Sequence, residues 1–160
     1  MTHYSELETP CVLIDLDKAE ANLAHAQELA NAAGIALRPH IKTHKLPYFA
    51  KRQVELGAVG ITVQKLGEAE VMADAGLTDL LLTYNIIGSA KRARLKALHD
   101  RVTIRVVADS AECVDGLAET FTDAAHKLGV FVECDTGMGR CGVQSAADAL
   151  ELARRISAAP

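Results

Sequence analysis

Apolar residues recur along this chain with two periods, one of about 3.6 residues and one of two. The helical period is clear in the first long segment, where Leu16, Leu23 and Ala30 share a face. Helices are predicted at residues 17–33, 46–56, 67–75, 89–98, 110–128 and 145–158. Short apolar runs are predicted as strands at residues 35–42, 59–64, 79–85, 103–109 and 130–136, with a leading strand at Pro10–Leu16.

Strands that alternate with helices of this length indicate βαβ units and a parallel sheet. Serines stand before three of the helices as predicted N-caps: Ser89, Ser110 and Ser145. Gly129 follows the fifth helix, where a left-handed C-terminal cap is expected. No linker interrupts the series, so residues 1–160 are predicted to form one domain. The expected fold class is α/β, a partial (β/α) TIM-type barrel with about five of the eight strands that closure takes.

Polar residues collect on one face of the predicted strands. Arg38, His40 and Lys42 point the same way, because side chains two apart in a strand share a face. The later strands carry polar residues on the matching face: Thr62, Gln64, Thr83, Asn85, Arg105, Asp109, Glu133 and Asp135. This pattern predicts a polar cavity at the carboxyl end of the sheet, where the active sites of α/β proteins lie. The alternative is a barrel interior in which Arg38 and Arg105 pair with Glu133 and Asp135.

Composition narrows the classes of function. The 160 residues are 49% hydrophobic and carry a formal net charge of −4, with no basic stripe for nucleic acid or an anionic membrane. No apolar run is long enough to cross a bilayer, and the first residues do not resemble a signal peptide. The spacing of Cys11, Cys113, Cys134 and Cys141 fits neither a zinc motif nor a disulfide framework. We therefore expect reduced thiols and a cytoplasmic location.

The octapeptide Arg-Pro-His-Ile-Lys-Thr-His-Lys at residues 38–45 places Lys42 at the end of the first predicted strand. Neighbouring cations and partial burial both favour the neutral, nucleophilic amine, so Lys42 is a candidate Schiff-base former. His40 and His44 are four residues apart but lie on no predicted helix, and two histidines alone do not predict a metal site. Hydrogen bonding around Lys42, or around the group that it binds, suits either histidine better.

A second segment with candidate chemistry spans residues 133–142. Two acids, Glu133 and Asp135, leave a strand end, and the glycines after them allow tight turns around Arg140. An arginine in such a loop can donate a fork of hydrogen bonds to an oxyanion on a ligand. The glycine spacing matches neither a P-loop nor a dinucleotide-binding fingerprint. A structural turn with a surface arginine is the other interpretation.

Taken in order, four motifs resemble the D-threonine aldolase and D-serine dehydratase family. They are Thr-Pro-Cys-Val-Leu-Ile-Asp-Leu-Asp near the start, the octapeptide at 38–45, Gly-Glu-Ala-Glu at 67–70, and Asp-Thr-Gly-Met-Gly-Arg-Cys-Gly at 135–142. The family consists of pyridoxal-phosphate enzymes with the alanine racemase type of barrel, called fold type III. The resemblance implies that Lys42 forms the internal aldimine and that Arg140 lies near the phenolic oxygen of the cofactor or the substrate. It implies, less directly, that Gln64 and His40 contribute to the cofactor site.

The activity implied is that of a lyase on D-3-hydroxyamino acids. An aldolase would release glycine and an aldehyde, and a dehydratase would release a keto acid and ammonia. The same fold also includes amino-acid racemases and non-catalytic proteins that carry pyridoxal phosphate, and an inactive interaction module is a third class.

Members of this family are more than twice as long as this chain. By resemblance they add the rest of the barrel and a C-terminal β-domain that holds a divalent metal, and they form homodimers. We therefore expect this chain to be the N-terminal portion of such a protein, with no metal ligands of its own. Alone, it is expected to bind pyridoxal phosphate weakly and to turn over substrate negligibly.

Overall fold

The computed structural model describes residues 3–160, which form a four-stranded parallel sheet flanked by α-helices. The strands are β1 Ile61–Val63, β2 Asp79–Leu82, β3 Thr103–Ala108 and β4 Gly129–Val132, and they lie in that order in the sheet. The helices are α1 Leu16–Ala32, α2 Pro47–Leu56, α3 Leu66–Asp74, α4 Ser89–His99, α5 Ala111–Thr120 and α6 Ala146–Ala158. Two short 3₁₀ helices span Tyr4–Glu6 and Ile41–Thr43. The α/β fold class is confirmed.

The core lies between the sheet and the helices. Leu80 and Leu82 of β2 are fully buried, whereas Asp79 and Leu81, which alternate with them, are only half-buried. The register aligns Leu80 with Ile61 and Ile104, so one face of the sheet is a continuous apolar surface. Burying each such side chain contributes about 1.5–3 kcal/mol. The opposite face carries polar residues such as Thr62 and Arg105, in register with Leu81.

Ion pairs connect successive helices on the outer surface. Arg94 of α4 binds Glu70 of α3 through two hydrogen bonds of 2.8 and 2.6 Å. Arg155 of α6 binds Asp115 of α5 in the same forked geometry, at 2.6 Å for both contacts. These pairs are half-exposed, so each adds at most about 1 kcal/mol and mainly sets the helix order.

The first predicted barrel strand, at residues 35–42, is absent. Its residues run beside β1 and accept two backbone hydrogen bonds, from Val59 N to Leu37 O at 2.9 Å and from Thr62 N to Pro39 O at 2.8 Å. His40 forms only an isolated bridge with Thr62. Proline offers no N–H to a ladder, and after His40 the chain turns into the 3₁₀ helix. The sheet therefore has four strands where about five were predicted, and one bridged segment extends it.

Other boundaries also differ from the prediction. Pro10–Leu16 is not a strand, and Val12 in that segment is 92% exposed. The fifth helix ends at Thr120 rather than near 128, and a loop leads from it to β4. Gly129 begins β4 opposite Arg105 instead of capping the helix, and a Cβ there would lie 3.0 Å from the Cγ atom of that arginine.

The cap predictions were mostly correct. Ser110 and Ser145 cap α5 and α6 by accepting hydrogen bonds from backbone N–H groups three residues later. Ser89 is instead the first residue of α4, with Gly88 as the N-cap. Within residues 3–160, none of the helices combines the length and the apolar character that crossing a membrane requires.

Candidate functional site

Lys42 lies in the short 3₁₀ helix that follows the bridged segment, just past the carboxyl end of β1. The residue before it, Ile41, is completely buried in the core and anchors the turn. Lys42 itself is exposed, so the predicted partial burial of its amine was wrong. Across residues 3–160, no hydrogen bond or ion pair engages its Nζ atom, which leaves the amine open to an incoming molecule.

His40 connects this turn to the sheet. Its Nδ1 atom accepts a hydrogen bond from the backbone N–H of Lys42 at 3.3 Å, and its Nε2 atom lies 3.4 Å from Oγ1 of Thr83. The Thr83 hydroxyl donates to the carbonyl of Val63 at 3.3 Å, so it accepts from His40. An imidazole that accepts at Nδ1 and donates at Nε2 is neutral. Burial and the Lys42 charge both lower the pKa of His40 and favour that state, although the Gln64 side chain opposes them.

Gln64 shares the same small polar cluster. Its Nε2 atom donates to the carbonyl of Thr83 at 3.4 Å, and its side chain is half-buried. His40, Gln64 and Thr83 therefore meet at the carboxyl ends of β1 and β2, beside the Lys42 turn. The sequence placed His40, Gln64 and Thr83 on one face, and the structure brings them together.

Lys45, a cation that the sequence places near Lys42, directs its side chain toward α3. Lys45 forms an ion pair of 3.1 Å with Glu68 of α3, whose side chain is only 7% exposed. Glu68 also accepts a hydrogen bond of 2.8 Å from the backbone N–H of Gln64. Burial, the largest influence on the pKa of Glu68, raises it, but these two donors lower it below the usual value. Sequence reasoning gave Glu68 no role, although it lies in the Gly-Glu-Ala-Glu motif.

Arg140 lies in a loop that is organised by Asp135. That carboxylate accepts backbone N–H groups from residues 137, 138 and 139 at 2.9–3.1 Å. The loop is joined to the sheet because Gly142 N donates to Asp109 Oδ2 at 3.0 Å. Arg140 is exposed, and a hydrogen bond with Cys141 raises its pKa, helped by the carboxylate of Glu133. No hydrogen bond joins Arg140 to Lys42 within the part of the chain that the structure describes.

The interior arginines do not pair as predicted. Nη1 of Arg38 and Nη1 of Arg105 each lie 2.8 Å from the same atom, Oδ1 of Asp79. Glu133 instead accepts the thiol of Cys141 at 3.1 Å, and Asp135 holds the Arg140 loop. The alternative interpretation, in which these arginines pair with Glu133 and Asp135, was therefore wrong in its partners, because the acid that both arginines bind is Asp79.

The residues on this edge fit pyridoxal phosphate in their chemistry. The cofactor needs a primary amine that can reach its aldehyde carbon, and Lys42 offers one that forms no hydrogen bond or ion pair with the residues from 3 to 160. Its oxyanions need a fixed cation, and the exposed guanidinium of Arg140 is one on the same sheet edge. A cavity of 370 Å³ lies elsewhere, between α5, α6 and the loop before β4.

His40 and His44 point to different neighbours and do not form a metal centre together. His44 directs its ring against Phe49, with the ring centroids 5.6 Å apart, while His40 faces Thr83. Among residues 3–160, no three or more histidine, cysteine, aspartate or glutamate side chains are arranged to hold a metal ion.

Comparison with known proteins identifies the family. A model described as "Alanine racemase, N-terminal domain" matches residues 14–160. The chain belongs to this family. It is 38% identical over 156 residues to the D-threonine aldolase of an Arthrobacter species, covering 98% of this chain and 41% of that protein. The chain therefore spans about 41% of the length of this curated relative.

Solved structures of this family have the same fold as the chain. The D-threonine aldolase from Filomicrobium marinum superposes with a TM-score of 0.94 at 37% identity, over 98% of this chain and 42% of that one. The D-threo-3-hydroxyaspartate dehydratase of a Delftia species gives a TM-score of 0.80 at 35% identity, over 94% of this chain and 39% of that one. The partial barrel of the alanine racemase N-terminal type is thus the fold of this protein.

Proposed function

We propose that this protein acts as part of a pyridoxal-phosphate-dependent lyase on D-3-hydroxyamino acids, and that Lys42 attaches the cofactor. The observation that carries the proposal is the exposed amine of Lys42 at the carboxyl edge of the sheet, which no partner in the described part of the chain engages. The relatives in this family include a D-threonine aldolase and a D-threo-3-hydroxyaspartate dehydratase, which supports the substrate class. When bound, pyridoxal phosphate supplies an electron sink for the bond broken at the α-carbon.

The neighbours of Lys42 have distinct roles in this proposal. His40, held neutral, accepts the backbone N–H of Lys42 and so orients the turn without adding a second positive charge beside the amine. Arg140 donates to an oxyanion of the cofactor or the substrate. Gln64 presents its amide beside His40 and Thr83, where it contacts the surroundings of the cofactor ring.

Weak binding by the 160-residue chain follows from the exposure of the site. Lys42 and Arg140 are both exposed, so water competes for every polar contact that they offer. A site open to water also gives weaker electrostatic interactions than a closed one. We expect slow attachment of pyridoxal phosphate and negligible turnover of D-threonine or D-serine.

Attachment of the cofactor tests the central assignment. The chain is incubated with pyridoxal phosphate and reduced with borohydride, and its peptides are analysed by mass spectrometry. We expect the reduced adduct on Lys42, its loss in Lys42→Ala, and no change in Lys51→Ala, which removes an exposed lysine of α2. Equal labelling of all exposed lysines would contradict the assignment.

Product analysis of a full-length protein that contains this chain tests the reaction class. Glycine and an aldehyde from D-threonine indicate an aldolase, and a keto acid and ammonia from D-serine indicate a dehydratase. The Filomicrobium marinum D-threonine aldolase serves as the positive control for the assay. Full turnover by the 160-residue chain would overturn the expectation drawn from its exposed site.

A further inference from the structure

We propose that Glu68 is a positioning residue that holds the Lys42 turn and Gln64 in place. This proposal rests on the proposed function, since it concerns the lysine that attaches the cofactor. Glu68 lies on α3, and within residues 3–160 no hydrogen bond or ion pair joins it to Lys42. It acts through two other residues, Lys45 and the backbone of Gln64.

The first connection runs from Glu68 to the turn. Lys45 follows the 3₁₀ helix, and its backbone N–H donates to the carbonyl of Ile41 at 2.8 Å, which closes the turn around Lys42. Lys45 has a φ of 54°, a left-handed conformation that residues other than glycine keep only when their surroundings enforce it. The ion pair with Glu68 supplies that constraint, because it fixes the Lys45 side chain against α3.

The second connection runs from Glu68 to the polar cluster. The carboxylate accepts the backbone N–H of Gln64 at 2.8 Å, just before α3 begins at Leu66. This contact fixes the point where β1 ends and the Gln64 side chain leaves the backbone. The amide of Gln64 then reaches the carbonyl of Thr83, whose hydroxyl faces His40. One carboxylate thus sets both flanks of the Lys42 turn.

Burial makes the arrangement demanding. Glu68 is 7% exposed, whereas its partner Lys45 is 55% exposed, so the carboxylate depends on the pair more than the ammonium does. A buried charge that loses its partner is strongly destabilising, and the surrounding chain rearranges to solvate it. Lys45→Met should therefore disturb the turn as much as a change at Glu68 does.

Three variants separate the two connections. Glu68→Ala removes both, Glu68→Gln keeps an acceptor for Gln64 N–H but loses the ion pair, and Lys45→Met removes only the ammonium. Glu70→Gln is the matched control, because Glu70 lies on the same helix and forms an ion pair with Arg94 on the outer surface. All variants are compared under conditions in which urea titration shows them to be fully folded.

Hydrogen exchange of single backbone amides measures the positioning without any cofactor. We expect Glu68→Ala and Lys45→Met to speed exchange of the backbone N–H of residue 45 by about tenfold. Exchange at Gln64 N–H should rise in Glu68→Ala but stay near the wild-type rate in Glu68→Gln. Glu70→Gln should leave both amides within about twofold of wild type. Unchanged exchange in Glu68→Ala would overturn the proposal.

Attachment of pyridoxal phosphate to Lys42 measures the consequence. We expect the rate of adduct formation to fall about tenfold in Glu68→Ala and Lys45→Met and to be unaffected in Glu70→Gln. Normal attachment in variants whose turn has loosened would show that Glu68 is merely structural, and this too would overturn the proposal. If wild type itself forms no adduct at Lys42, the proposed function fails and takes this role with it. The exchange data would still show whether Glu68 holds the Lys42 turn and Gln64 in place. Failure of the proposed function and failure of the role proposed for Glu68 can therefore be told apart.

Discussion

We expect the loss of the Asp79 charge to destabilise the fold, because this one carboxylate balances the charges of two arginines. Its Oδ1 atom lies 2.8 Å from Nη1 of Arg38 and 2.8 Å from Nη1 of Arg105, on the polar face of the sheet. Asp79→Asn keeps the shape of the side chain but removes its charge, so the two guanidinium groups are left facing each other across a neutral amide.

The geometry sets the size of the effect. Because both Nη1 atoms contact one oxygen, they lie at most about 5.6 Å apart. Two unit charges at that distance repel by about 3 kcal/mol at an effective dielectric constant of 20, and by about 0.7 kcal/mol in water. The three side chains are between 21% and 36% exposed, which places them between these limits. With the weakening of two charge-assisted hydrogen bonds added, we expect a destabilisation of about 2–4 kcal/mol.

Urea unfolding followed by far-ultraviolet circular dichroism at pH ~7 measures this difference. Asp74→Asn is the control, because Asp74 pairs with Arg101 on the outer surface and should change the stability by less than about 1 kcal/mol. The double variant Asp79→Asn, Arg105→Met removes one of the facing charges and should regain part of the loss. If the free energy of unfolding of Asp79→Asn lies within about 0.5 kcal/mol of the wild-type value, the reasoning is refuted.

Two further predictions concern His99, at the end of α4, and Gly142, in the loop after β4. Burial and the facing charge of His126, whose ring stacks on His99 at 4.1 Å, lower the pKa of His99. The folded state therefore resists protonation of His99. The free energy of unfolding is highest above pH ~6.5 and falls by up to about 1.4 kcal/mol per pH unit below it, until His99 protonates in the folded state. Urea unfolding across that pH range checks this, and His126→Gln should reduce the loss of stability. Gly142 has a φ of 102°, and a Cβ there would lie 2.5 Å from Asp135 N, so Gly142→Ala should speed tryptic cleavage after Arg140, whereas Gly67→Ala, with open space around it, should not.

Sequence periodicity predicted the helices better than it predicted the strands. The sixth helix, expected at 145–158, is Ala146–Ala158 with Ser145 as its cap, because apolar spacing and a capping hydroxyl agree there. At residues 35–42 the local signals disagreed. Alternation favoured a strand, but Pro39 removes a donor and the Nδ1 atom of His40 accepts the N–H of Lys42. A side chain that competes for the backbone decided the outcome.

The polar face was predictable, but its pairings were not. Alternation alone places Arg38 and Arg105 on the polar face, and the same spacing puts Asp79 on the face of Thr83, although Asp79 was not among the predicted residues. Which acid meets which base depends on the register of the strands, and here Asp79 lies opposite Thr103, two residues before Arg105. A single sequence contains no measure of register. The carboxylate of Glu68 escaped attention for a related reason, since its burial and its reach to Lys45 exist only once α3 has packed.

The failure of the first strand and the placement of Lys42 have the same cause. A strand continued through Lys42 would commit the backbone N–H of that residue to the ladder or to solvent, and its side chain would follow the pleat. Because His40 accepts that N–H instead, the chain turns, buries Ile41 and lifts Lys42 out at the edge of the sheet. The turn then needs support from outside the sheet, and the Lys45–Glu68 pair provides it. The residues that prevent the predicted strand are therefore those that leave the amine of Lys42 exposed at the edge of the sheet.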